Sequence, residues 1–258
     1  MGNTEQNDYL INALKSFKNL LNTEYMYVIN TCGHDKKESA LRLKFQKENF
    51  FHLTGCQYLK DVRKIQKYIK SDPKTGKTVP KAKFFDEVES QAITIDTLKS
   101  SVFYSDIEER LKNLEKFENI LDKSLSIFEW DGFIRNYDKG TYEVTRKKSE
   151  IIADYIIRAP LEKDVQNKLY AFIIADRGSK EFFRPVSFIS EEKTDYCLNQ
   201  KYVTLLVKKK RINTQDSETL YILPSYLKHH PEIIPEESIY IASHPECSVV
   251  VKQISNPI

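Results

Sequence analysis

Glycine is scarce in this chain, with 7 in 258 residues, and none falls in a G-x-x-x-x-G-K or G-x-G-x-x-G pattern. Loops that cradle phosphates on successive backbone N–H groups need glycine at fixed positions, so P-loop enzymes and dinucleotide-binding dehydrogenases are disfavoured. H-E-x-x-H and G-x-S-x-G are also missing, which disfavours the common zinc and serine hydrolases. The four cysteines, Cys32, Cys56, Cys197 and Cys247, show no C-x-x-C spacing. That excludes a local zinc ribbon, offers no disulfide framework and fits a reducing compartment. His229, His230 and His244 have no carboxylate or cysteine at ligand spacing, so no metal and no cofactor is expected. No apolar run approaches the roughly 20 residues that span a bilayer. The N-terminus is polar and acidic, unlike a secretory signal, and position 6 is Gln where myristoylation prefers Ser or Thr. A soluble, cytoplasmic protein without a membrane partner is the expectation.

Aromatic residues, by contrast, are plentiful: 15 Tyr and 14 Phe predict a core built largely from rings. A hydrophobic content of 40% is too high for a disordered chain. The net charge of +3 permits nucleic-acid binding without demanding it.

Periodicity predicts an amphipathic helix over 5–22, with Leu10, Ala13, Leu14, Phe17, Leu20 and Leu21 on one stripe. Strands are expected at 24–31 and 41–46, joined by a polar loop at 33–37. In the second, Leu41, Leu43 and Phe45 alternate with Arg42, Lys44 and Gln46, giving one apolar and one cationic face. A basic helix is expected around 61–70, and the Pro, Gly and Lys content of 71–83 reads as a solvated loop. Helices follow at 84–91, 95–101 and 106–121. From 126 onward, short β-prone runs at 127–130, 151–157, 169–176, 182–189 and 202–208 are broken by Gly-containing turns. Helices first and strands later predict an α+β fold in one domain over 1–258, a helical N-terminal half packed on a mainly antiparallel sheet from the C-terminal half. Prolines 224, 231 and 235 suggest that 212–258 is an irregular extension.

Several residues are candidates for chemistry, each with a plainer competitor. His52, beside Phe50, Phe51 and Leu53, is either a core histidine bonded to a carbonyl or a general acid or base, since imidazole alone titrates near neutrality without heavy tuning. Thr54 and Gly55 next to it fit a cap or turn equally well. Arg110 is either paired with Asp106 on its helix or reaches into a cleft to grip a phosphate with its planar fork. Ser187 lies in a strand, where a structural hydrogen bond explains most serines. The run Lys208-Lys209-Lys210-Arg211 either guards a strand end or contacts phosphates, with Lys208 the candidate, and Arg146-Lys147-Lys148 and the 60–83 segment are further candidates for phosphate contacts.

The segment Phe50-Phe51-His52-Leu53-Thr54-Gly55 resembles the fourth family of phage-encoded barnase–EndoU–colicin–RelE-like nucleases. The likeness continues through Leu41–Phe45, Ser101–Leu111, Tyr170–Ile173, Pro185–Ile189, Tyr196, Gln200 and a Thr-Leu-Leu-Val-Lys strand. It covers roughly 24–210 in the right order. It implies helices packed on an antiparallel sheet whose cleft binds RNA, and an endoribonuclease of toxin or phage-effector type working without metal. His52 and Arg110 would be catalytic, as proton carrier and phosphate clamp. Lys44, Thr54, Ser187 and Lys208 would contact substrate, and RNA, with an inhibitor or a phage or host protein, would be the partners. Two other readings stay open: a non-catalytic RNA- or protein-binding module on the same fold, and a transferase acting on NAD or a nucleotide.

Overall fold

The computed structural model describes residues 8–30, 38–137, 144–160, 168–177, 181–213 and 217–230. The order begins α1 (Tyr9–Leu20), β1 (Thr23–Asn30), β2 (Glu38–Lys44) and α2 (Lys47–Leu53). Four further helices, α3 (Arg63–Ile69), α4 (Ala82–Glu89), α5 (Ile95–Lys99) and α6 (Ser105–Leu114), lead to α7 (Phe117–Lys123). Then come β3 (Ser126–Glu129), β4 (Phe133–Tyr137), β5 (Val144–Lys148), β6 (Tyr155–Arg158), β7 (Lys168–Ala175), β8 (Phe182–Glu191), β9 (Lys201–Ile212), β10 (Glu218–Ile222) and α8 (Pro224–His229).

The fold is α+β, but its division differs from the expected one. The strand order is β1-β2-β8-β7-β6-β3-β9, and β9 pairs β1, so the sheet closes into a barrel with β10 added on β9. The first two strands, from the N-terminal half, are therefore built into the same sheet as the later ones. Closure uses the length of β9: Lys201–Val203 pair with β3, and residues from Thr204 to Ile212 pair with β1 from Asn30 back to Thr23. The β2–β8 ladder is parallel, Arg42 opposite Phe182 and Leu43 opposite Phe183, and the other described ladders are antiparallel. β4 and β5 form a separate two-stranded ribbon.

Local chemistry explains the helices. Asp8 caps α1 by accepting from the Leu10 and Ile11 N–H groups at 3.1 Å. Its buried residues are Leu10, Ala13, Leu14, Phe17 and Leu20, as the period predicts. The expected helix over 106–121 is two, α6 and α7, parted at Glu115 and Lys116. Rings join the first four helices: Phe17, Phe50, Phe51, Tyr68, Phe84 and Phe85 are all essentially inaccessible and pack at centroid distances of 5.1–6.2 Å. Offset and edge-on pairs of this kind stabilise beyond the area they bury. A second apolar cluster on Phe128, Trp130, Tyr170 and Phe172 backs the other face of β3, β6 and β7.

Within 212–258, residues 218–222 are strand and 224–229 helix, so that part is regular. The rest of that extension, residues 231–258, lies outside the described residues, as does the loop at 33–37. Among the described residues no helix is long and apolar enough to cross a membrane.

Candidate functional site

The F-F-H-L-T-G segment is one helical turn and its stop. α2 begins where the Gln46 N–H donates to Asn49 Oδ1 at 2.7 Å, and Phe50, Phe51 and Leu53 bury its inner face. The Thr54 hydroxyl, wholly buried, donates to the carbonyls of Phe50 and Phe51 at 3.0 and 3.1 Å, which occupies the last turn's acceptors. Gly55 follows with φ +79°, in the left-handed region. A Cβ there would lie 2.9 Å from Ile107 Cγ2 and 3.1 Å from Arg110 Cδ, so only glycine lets the end of α2 pass so close to α6. The segment thus fixes both His52 and the neighbourhood of Arg110. Thr54 is a helix stop and presents nothing to a substrate, which corrects its assignment as a contact.

His52 is half-buried, on the side of α2 away from the core, with Phe51 edge-on at 5.7 Å. Its Nε2 lies 2.9 Å from Lys81 Nζ. An ammonium has no acceptor, so Nε2 accepts and the ring proton sits on Nδ1. Burial first, then the charges of Lys81 and Arg184, push the imidazole down to about 4, so at neutral pH it is an uncharged base on which two positive charges act. Lys81 lies near the end of the 71–83 stretch, directly before α4. Val79 ties that stretch to α3 by donating to the Lys67 carbonyl at 3.0 Å, and Pro80 then delivers Lys81 to the start of α4. Arg184 comes from β8, where Phe183 is buried and Arg184 stands on the opposite side. Its nearest acid is Asp176, with Nε to Oδ1 at 3.7 Å. Sequence reading missed Arg184 and took in Lys81 only as part of the basic 60–83 segment. Only the alternation around Phe183 and the lysine directly after Pro80 hinted at them.

Lys44 lies on the continuation of this face. Its ammonium is 4.1 Å from the Phe182 ring centroid and 3.1 Å from Glu24 Oε2. Arg42 joins them, 2.7 Å from Glu24 Oε1, and Arg211 reaches the other oxygen at 3.2 Å. Burial would raise the Glu24 carboxyl, but Arg42 and Lys44 outweigh it and hold it below its ordinary value. Phe182 and Arg184, two apart on β8, share a side of the strand, so a positive track leads from the Glu24 cluster to His52.

Arg110 stands on α6, beyond Gly55, and makes no hydrogen bond or ion pair with His52 or Asp106. One of its guanidinium N–H groups, on Nη1, is buried without a partner. The guanidinium lies 5.2 Å from the centroid of the Tyr58 ring, which is exposed, and its charge also acts on Tyr196. An unpaired donor of this kind is costly unless an acceptor arrives.

Two other candidates lie elsewhere. Ser187 is buried in β8 opposite Phe172 of β7, within the second apolar cluster's face rather than beside His52. Lys208 is fully buried, and its ammonium donates to the carbonyls of Asp122 and Ser124 at 2.7 and 2.9 Å, closing the C-terminal end of α7. Neither offers a surface to a phosphate, which corrects both assignments. Strand alternation also turns Lys210 inward, onto Glu118 and Asp122 at 2.9 Å. Among the described residues no group of three His, Cys, Asp or Glu is placed to hold a metal ion.

The site is thus a half-buried, uncharged imidazole with one ammonium on its Nε2 and a second positive charge acting on it. The family described as phage-Barnase-EndoU-ColicinE5/D-RelE like nuclease4 matches residues 9–223. The chain belongs to this family of phage nuclease-like proteins, and the matched stretch exceeds the 24–210 legible from motifs, adding α1 and β10. No curated protein and no solved structure is matched.

Proposed function

We propose that this chain, as one α+β domain, is an endoribonuclease of toxin or phage-effector type in which a ribose 2′-oxygen attacks the adjacent phosphorus without a metal. The observation that carries the reading is Lys81 Nζ on Nε2 of the uncharged His52 ring at 2.9 Å, with the Arg184 charge acting on the same ring. Such a reaction needs a base for the 2′-proton, an acid for the departing 5′-oxygen, and positive charge facing the phosphorane. Lys81 turns from Nε2 to the departing oxygen, and the freed Nε2 of His52 takes the 2′-proton as the new oxygen–phosphorus bond forms. The bond to the 5′-oxygen breaks, and the Lys81 ammonium protonates that oxygen. The imidazolium then returns its proton to the Lys81 amine across their hydrogen bond, restoring both groups. Arg184 stabilises the charge on the phosphorane oxygens. Arg110 and Tyr58 hold a flanking phosphate and base, and Lys44 extends the positive track.

A non-catalytic RNA-binding role is the second reading. It is favoured by Lys81 covering the Nε2 lone pair, and by every charge that shifts His52 being basic. The two part in one experiment: total cellular RNA incubated in EDTA with wild-type protein and with His52→Ala. Cleavage to 2′,3′-cyclic phosphate ends by the wild type, lost in the variant, supports the enzyme. Equal cleavage by both, or activity abolished by EDTA, sinks the mechanism.

A further inference from the structure

The β4–β5 ribbon stands apart from the barrel sheet and is not part of the His52 face described above. Its two strands carry four basic side chains, Arg135, Arg146, Lys147 and Lys148, and no acidic one. Every residue of β5 is exposed. The base is firmly set. Gly132 turns the chain at φ +80°, and its carbonyl accepts from the Ser149 N–H at 2.8 Å. Gln200 donates to the Phe133 carbonyl at 2.9 Å, and Ile134 packs on the Trp130 cluster.

Register sorts the charges. Phe133 faces Lys148 and Arg135 faces Arg146 across the ladder, so these four side chains share one side of the ribbon. Arg146 lies over the Phe133 ring at 3.4 Å. Asp131 bonds Arg135 and stands 3.9 Å from Arg146. One carboxylate thus meets two of the three cations on this side. Like charges brought together on an exposed ladder repel and lower stability, and a polyanion laid along that side would relieve the repulsion.

We propose that this side of the β4–β5 ribbon binds the ribose–phosphate backbone of RNA, away from the scissile bond and without regard to sequence. The proposal rests on the RNA reading for its choice of polyanion. Contacts of this kind position a strand and carry no base information.

The test uses the full chain and a 20-nucleotide single strand with 2′-O-methyl riboses, which cannot undergo 2′-attack, followed by fluorescence anisotropy over a range of salt. Arg146→Gln with Lys148→Gln alters only exposed side chains. Removing two phosphate contacts should weaken binding about tenfold at low salt and flatten the log Kd–log salt slope by about 1.4. Cleavage of a diribonucleoside monophosphate, too short to reach the ribbon, should be unchanged. Unaltered affinity and slope would overturn the ribbon's role even where wild-type cleavage is intact. Ribbon-dependent binding in a protein that cleaves no RNA would uphold the ribbon and remove the nuclease. Vesicles of anionic phospholipid that need the two side chains, while RNA does not, would also overturn the proposal.

Discussion

Two lysines in this molecule have lost their ordinary surroundings, and they have lost them differently. Lys208 is wholly enclosed, its ammonium donating to two backbone carbonyls at the end of α7. Burial pushes it down to about 7, with Asp122 opposing and Lys210 assisting. Lys81 is only partly covered, and its partner is an imidazole that has no formal charge to give. At the first site, carbonyls and carboxylates satisfy every cation. Around His52 the pairing is thinner: Lys81 has the imidazole at 2.9 Å, and Arg184 has Asp176 only at 3.7 Å. A buried cation with its acceptors in place builds structure, whereas cations converging on a base leave room for an anion. Residue type alone does not distinguish the two. The acceptors do.

The largest expected effect lies on the His52 side. His52→Ala should lower RNA cleavage by about 10²–10⁴-fold, the usual worth of a positioned proton carrier, while thermal unfolding of the variant stays close to wild type. An unfolded variant would mean that the ring is structural after all.

Next comes the joint between the regions. Gly55→Ala forces a side chain into the left-handed region and against Ile107, which should cost about 2–4 kcal/mol in urea unfolding. Wild-type stability would show that α6 yields freely.

On the other side of the comparison, Lys208→Met leaves two carbonyls unpaired and should destabilise by about 2–4 kcal/mol. Cleavage per folded molecule should be unchanged. The Lys208 value in the folded protein, about 7, lies below its ordinary 10.5. Between these the unfolded chain binds more protons, so this group makes stability rise with pH from about 7 to 10. That rise should vanish in Lys208→Met.

Acidity offers a finer test. His52 sits at about 4 against an ordinary 6.5, so the unfolded chain again binds more protons in between. Stability should fall as pH drops from 6.5 towards 4, and the acid limb of kcat/KM should lie near pH 4. Lys81→Gln removes one repelling charge and should move that limb upward, though burial keeps it below 6.5. A limb at 6.5 in the wild type would show the ring to be solvated. The smallest effect is expected at Lys44→Ala, whose ion pair with Glu24 is exposed enough to be worth about 0.2–1 kcal/mol of stability.

Much of the fold was legible because it rests on local pattern. The stripe Leu10–Leu20 and the alternation Leu41, Leu43, Phe45 each report which side meets the core, and the structure buries those residues. The barrel was not legible, since closure depends on β9 pairing with β1 across some 180 residues of chain. Nor was the ribbon, whose exposed residues carry no apolar period. At the candidate site, His52 and the stop at Thr54-Gly55 stood out as a motif. Its cationic neighbours did not, because the packing of α4 and β8 on α2 brings Lys81 onto the ring and the Arg184 charge to act on it. The run 208–211 misled for the opposite reason: four cations in a row look like surface, yet period two sends Lys208 and Lys210 inward.

The β1–β9 seam also bears on how the protein is made. Until about residue 212 has left the ribosome, the first strand has a bare row of amide and carbonyl groups along one border, open to any stray chain that matches it. Arg184 likewise emerges long after His52. A growing polypeptide would therefore carry a His52 ring without the Arg184 charge and a sticky margin together, and both are resolved by the same late strand arrangement.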